Sequence, residues 1–235
     1  MADVHSRWIN GQLVFWDTHE YRFLRALGPN VKQAIYDFAT LDVDNTTGDP
    51  TGWTMTVVEA GAGGDSTVAL GTGHLLITTD NADNDGVNLQ LKGEAFVPTA
   101  SKPLYFGVKL QINDVDQTDI LVGLCITDTT MLAGMTDGIY FESVDESALI
   151  SCVTEVGSTE TQTDSVGTLV DGADIILEFY AEDATSIKFF INGVLVATHT
   201  AGITAEPLTP SIHFLTGETT ANTCKIEWLR AIQIN

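Results

Sequence analysis

The sequence predicts an all-β sandwich preceded by a short amino-terminal arm, and three observations carry that expectation. From Trp53 onward apolar and polar residues alternate with period two, in short runs rich in β-branched and aromatic side chains. The runs are separated by clusters of Gly, Asp, Asn and Thr, which punctuate antiparallel strands rather than strand–helix units. The length, 235 residues, is ordinary for one all-β domain with a real core.

Taken in order, the chain first shows a hairpin signal. Ile9 to Val14 reads INGQLV, and Ile191 to Val196 repeats the form as INGVLV. Asn-Gly between apolar runs predicts a two-residue turn, because both central residues tolerate positive φ. Leu27 to Phe38 reads as a helix, with Pro29 in its first turn and Val31, Ala34, Ile35 and Phe38 at helical spacing. Asp42 to Gly52 is a turn-rich linker. The expected division is therefore an arm over 1–38 and a sandwich body over 39–235. The body's candidate strands are WTMTVVE, STVAL, HLLITT, VNLQLK, LYFGVKLQI, DILVGLCIT, GIYFES, ALISCVT, IILEFYA, SIKFFI, VLVATH, PSIHFL and CKIEWLRAIQI. Each has one apolar face to hide, which two packed antiparallel sheets accomplish.

Charge separates the two parts. The net charge is −22, which excludes ordinary nucleic-acid binding through the bulk surface, since phosphate affinity comes from Lys and Arg. Residues 1–36 hold Arg7, Arg22, Arg25 and Lys32 against Asp3, Asp17 and Glu20, a net of +1, so the remainder carries −23. The arm is also dense in aromatics: Trp8, Phe15, Trp16, Tyr21, Phe23 and Tyr36. No apolar run approaches the roughly 18 residues of a membrane span, and the start lacks the charged-then-apolar pattern of a signal peptide. No membrane association or export address is expected. Cys125, Cys152 and Cys224 sit among apolar neighbours without a C-x-x-C pair, the pattern of buried thiols.

Motifs for chemistry are sparse. Paired carboxylates for glycoside hydrolysis would stand on alternate positions of one strand. In YFESVDES, Glu142 and Asp145 fall on opposite faces, and Glu142 and Glu146 share a face with no acid between them, so solvated loop carboxylates are expected. Asn81, Asp83, Asp85 and Gly86 match the opening of a calcium loop, but its twelfth position is Lys92, and an acidic turn is the plainer reading. His5, His19, His74, His199 and His213 lack metal-ligand spacing, and GAGG at 61–64 is not followed by Lys-Ser/Thr. No cofactor is expected and no enzyme activity. Trp53 and Trp228 lie in alternating strands, where a core position is expected over a sugar-stacking one.

Two stretches resemble known families. SIKFFINGVLVATHT resembles the late-strand hairpin of concanavalin A-like, or laminin-G-like, jelly rolls, which implies a jelly-roll body. SRWINGQLVFWDTHEYRFLRALGPNV resembles the start of tailed-phage structural proteins. That resemblance implies a head decoration (cement) protein on the outer capsid surface of the virion, assembled in the host cytoplasm as a homo-oligomer, a trimer. Its partner would be the major capsid protein, gripped by Trp8, Phe15, Trp16, Tyr21 and Phe23, with Arg7, Arg22 and Arg25 meeting acidic groups. Two alternatives stand beside it: a carbohydrate- or receptor-binding module of the same fold, and an arm that merely completes its own sandwich.

Overall fold

A computed structural model describes residues 4–9 and 12–17 as backbone, and residues 31–40, 42, 49–60 and 64–234. It contains three antiparallel sheets. The first is a hairpin of β1 (Val4–Ile9) and β2 (Gln12–Asp17), in register Ile9 to Gln12 and Val4 to Asp17. This agrees with a two-residue connection; Asn10 and Gly11 lie outside the described residues.

The body follows as β3 (Val31–Tyr36), β4 (Trp53–Val58), β5 (Thr67–Leu70), β6 (Leu75–Thr78), β7 (Gly86–Leu91), β8 (Leu104–Ile112), β9 (Thr118–Cys125) and β10 (Gly138–Ser143). Then come β11 (Leu149–Val156), β12 (Thr159–Thr168), β13 (Ile175–Asp183), β14 (Ser186–Ile191), β15 (Val194–His199), β16 (Thr209–Thr216) and β17 (Thr223–Ile234). A seven-stranded sheet has the order β12-β11-β10-β9-β16-β7-β4, and an eight-stranded sheet the order β15-β14-β13-β8-β17-β6-β5, with β3 also on β17. The architecture is the expected all-β sandwich. Every one of the thirteen body strands read from the sequence is present, and Asn192 and Gly193 turn with φ of 51° and 77°.

Alternation along each strand builds the core between the sheets. Phe106 and Phe179 stack at 5.2 Å, and Phe189 meets Phe141 edge-on at 5.3 Å across the sandwich. Each such fully buried side chain contributes about 1.5–3 kcal/mol. His199 ties the sheets together: from β15 its ring nitrogens reach the hydroxyls of Thr154 on β11 and Thr163 on β12, at 3.1 and 2.9 Å. Trp53 is 1% exposed, and all three cysteines are buried and free.

Three expectations change. The helix over Leu27–Phe38 is, from Val31 to Tyr36, strand β3. Strand β17 is twelve residues long, and β6 pairs only its first part (Thr223–Ile226). The open edge of Leu229–Ile234 accepts β3, with Ala34 opposite Ala231, and this pairing overrides a local helical pattern. Ala34 and Phe38 enter the core cluster, so the sandwich begins before the expected boundary at residue 38. Second, β12 was not anticipated; TETQTDSVGT is polar and forms an exposed edge. Third, Trp228 stands half-buried outside the core, under the Arg230 guanidinium at 4.5 Å, beside a register shift at Ile226/Trp228. Among the described residues no helix is long and apolar enough to cross a membrane.

Candidate functional site

The two-stranded sheet of β1 and β2 holds several of the residues singled out in the sequence. The hairpin pairs backbone with neither sandwich sheet among the described residues. Its register sets Trp8 opposite Leu13 and Ser6 opposite Phe15, and on the alternate positions Arg7 opposite Val14 and His5 opposite Trp16. Trp8 and Phe15 thus belong to one face of the ribbon, Arg7 and Trp16 to the other. Tyr21, Arg22, Phe23 and Arg25 lie outside the described residues.

The acidic turn between β6 and β7 does not gather its three candidates. Asp85 is fully buried, its Oδ1 accepting the Ala60 N–H at 2.7 Å and its Oδ2 without a partner among the described residues. Asp83 is exposed and accepts from the Asn84 amide, while Asn81 is exposed. Among the described residues no group of three or more His, Cys, Asp or Glu is placed to hold a metal ion.

A second constellation, which the sequence reading missed, lies on the outer face of the seven-stranded sheet. Inward positions of β9 and β10 (Val122, Leu124, Ile139, Phe141) fill the sandwich core, so Leu121, Gly123 and Cys125, and Gly138, Tyr140 and Glu142, face out. Gly123 lies opposite Tyr140, and a Cβ there would sit 2.2 Å from the Ile139 carbonyl oxygen. Residues 126–137, including the short helix α1 (Met131–Gly134), cross this face. They are held by Gln90, whose Nε2 donates to Ile126 O at 2.9 Å and whose Oε1 accepts Asp128 N–H at 2.9 Å. Asn88 Nδ2 donates to Thr129 O at 2.7 Å. Met131 and Met135 then pack with Leu121, Cys125, Tyr140 and Val153 into a second small core.

Titratable groups surround this cover. His213 on β16 bonds Asn88 Oδ1 through Nδ1; since the Asn88 amide nitrogen is spent on Thr129, its oxygen is the acceptor and His213 Nδ1 the donor. Its Nε2 is buried without a partner among the described residues, and burial depresses the imidazole pKa to about 4. Glu142 is 7% exposed and accepts from Gln162 Nε2 at 3.2 Å. Burial, reinforced by Glu160, Glu155, Asp164 and Asp119, raises its carboxyl to about 7. It is therefore no solvated loop carboxylate, unlike Asp145 and Glu146 in the following turn. Tyr140 Oη lies 3.1 Å from Glu155 Oε2 and 3.4 Å from Glu160 Oε1. Burial raises the Glu155 carboxyl; the Tyr140 hydrogen bond opposes that, and Glu160 and Asp137 add to it. Chemically, Glu142 can give or take a proton near neutrality. It is the single carboxylate among the outward residues of β10, and the Glu155 Cα lies about 14 Å away by strand geometry.

Comparison with known proteins places the fold. Residues 71–234 match the family model described as SO2946-like, C-terminal domain. Among solved structures, an endo-1,3-beta-glucanase from Streptomyces sioyaensis superposes with TM-score 0.63 at 14% identity, covering 89% of this chain and 99% of that one. The metal-free carbohydrate recognition domain of Emp46p gives 0.55 at 11% identity, covering 81% and 93%. A protein of unknown function, SO2946 from Shewanella oneidensis MR-1, gives 0.59 at 13% identity, covering 88% of each. The body is thus a concanavalin A-like jelly roll. No curated protein sequence matches the chain.

Proposed function

We propose that this chain, which belongs to the SO2946-like family through its C-terminal domain, is a non-enzymatic structural protein of a phage virion. In this reading it is a head decoration (cement) protein, a homotrimer on the outer capsid surface that grips the major capsid protein with its amino-terminal hairpin. One observation carries the reading: among the described residues, β1 and β2 form their own two-stranded sheet and extend neither sheet of the sandwich. An isolated two-stranded ribbon is at best marginal in water and gains stability by packing on another surface. Three or four aromatic or aliphatic anchors at about 1.5–3 kcal/mol each exceed the lower end, about 4 kcal/mol, of the cost of association. Three arms on one trimer multiply the effect by avidity. The acidic body, carrying the −23 outside residues 1–36, suits a solvent-facing outer layer.

The test is co-sedimentation with shells assembled from the major capsid protein of the phage that carries this chain. The full chain is expected in the pellet; a chain lacking residues 1–17, shown folded by circular dichroism, is expected in the supernatant. Equal pelleting of both would overturn the reading. Trp8→Ala with Phe15→Ala is the milder variant and should weaken binding at least tenfold.

A second reading, a carbohydrate- or receptor-binding module, draws on the polar outer row that joins Glu142 to Gln162. It predicts glycan-array signals lost in Glu142→Ala. Trp53, at 1% exposed, offers no stacking platform for it.

A further inference from the structure

The tip of the β14–β15 hairpin, Asn192-Gly193, brings together the three groups of a self-modification reaction. The electrophile is the Asn192 side-chain amide, whose Oδ1 accepts the Ile176 N–H at 2.9 Å while the Asn192 N–H donates to Ile176 O at 2.8 Å. A donor so placed polarises the amide carbonyl at the oxygen where charge develops as a nucleophile adds. The nucleophile is the next backbone nitrogen: the Gly193 N–H has no acceptor among the described residues, and glycine has no Cβ to hinder approach. The leaving group is Asn192 Nδ2, which donates to nothing among the described residues, and Asn192 is exposed to water.

No other asparagine among the described residues combines these features. Asn84, Asn88, Asn113 and Asn222 each donate Nδ2 to a neighbour: Asp83, Thr129, Asn222 and Thr216 in turn. Asn81 is exposed, but Ala82 follows it and carries a Cβ.

We propose that Asn192 is a site of spontaneous deamidation in the folded protein. Gly193 N gives its proton to hydroxide and bonds to Asn192 Cγ; the Cγ–Nδ2 bond breaks, and Nδ2 takes up a proton and leaves as ammonia. Water then opens the succinimide ring. Cleavage at Cγ gives aspartate, and cleavage at the Asn192 main-chain carbonyl carbon gives isoaspartate, with an extra methylene in the backbone. Both products add a negative charge, and isoaspartate also breaks the paired hydrogen bonds that fasten the hairpin tip to β13 at Ile176. The site is independent of the β1–β2 ribbon and of the virion reading, and either can fail without the other.

The test is incubation of the full chain at pH 8 and 37 °C beside the synthetic peptide of residues 188–198, with tandem mass spectrometry locating each deamidated residue. Asn192 is expected to convert at least tenfold faster than the other described asparagines, and no slower than about threefold below the peptide. The fraction carrying isoaspartate at residue 192, separated by anion exchange, should unfold at a lower temperature than the fresh chain. Asn192→Asp, which keeps an acceptor for the Ile176 N–H, should not. A native chain that converts more slowly than this while the peptide reacts, another described asparagine converting first, or an isoaspartate fraction with an unchanged thermal midpoint would overturn the proposal.

Discussion

Replacing Glu142 by Gln should make the protein more stable above neutral pH and leave it unchanged in acid. The carboxyl is held at about 7 against an ordinary 4.5, because it is buried and ringed by Glu160, Glu155, Asp164 and Asp119. A carboxyl that is harder to ionise in the native state binds more protons folded than unfolded between those values, so its contribution to stability falls as pH rises through that window. At 1.36 kcal/mol per pH unit, the full span corresponds to a ceiling of about 3 kcal/mol. Below pH 4.5 both states are protonated and the contribution is intact; above pH 7 it is lost. Gln cannot ionise, and its side-chain oxygen can still accept from Gln162 Nε2, which now lies 3.2 Å from Glu142 Oε1. Urea unfolding of wild type and Glu142→Gln at pH 4.5, 6 and 8 measures the effect. The two should coincide at pH 4.5 and diverge by up to about 3 kcal/mol at pH 8, in favour of the variant. Parallel curves across that range would refute the reasoning, since they would mean that Glu142 ionises in the native state as freely as in water.

His213 has the opposite sign: with its pKa depressed to about 4 by burial, its contribution is intact above 6.5 and is lost as pH falls towards 4. His213→Gln should therefore remove part of the acid-side loss, visible as a flatter urea midpoint between pH 6.5 and 4. Phe189→Ala, which removes ring contacts to Phe141, Phe179 and His199 at 5.3, 5.8 and 4.9 Å, should cost about 3–5 kcal/mol by chemical denaturation. Gly123→Ala would set a Cβ 2.2 Å from Ile139 O and 2.6 Å from Tyr140 Cα. The forced separation of β9 from β10 should cost about 3 kcal/mol, at the upper end of overpacking, and a thermal midpoint equal to wild type would contradict it.

The body was legible because half-buried strands write their geometry into residue order. Alternation located every strand with one apolar face, and Asn192-Gly193 located a turn. It failed where a strand lacks that signature. Strand β12 is an exposed edge whose Thr, Glu, Gln and Asp hide nothing, so no period-two hydrophobicity marks it. Val31, Ala34, Ile35 and Phe38 fit a helical stripe, yet their conformation is decided by the vacant edge of β17, nearly two hundred residues away. Glu142 was misjudged for a related reason. Its distance from Asp145 and Glu146 was readable, but the carboxylates that perturb it, Glu155, Glu160 and Asp164, come from the neighbouring strands β11 and β12. One signal was available: an acidic residue at an outward position of GIYFES, beside a tyrosine, in a stretch empty of Lys and Arg.

That outward face bears on where recognition takes place. An extended polymer lying across a sandwich sheet needs an open face, and here residues 126–137 cross the middle of it, fastened by Gln90 and Asn88 and sealed by Met131 and Met135. Uncovering Leu121, Cys125 and Val153, all buried to 0% exposure, would forfeit about 1.5–3 kcal/mol for each large side chain and break the hydrogen bonds as well. A cover so anchored favours ligands that use the margins. One such margin is the separate β1–β2 ribbon, whose register places apolar positions on both faces.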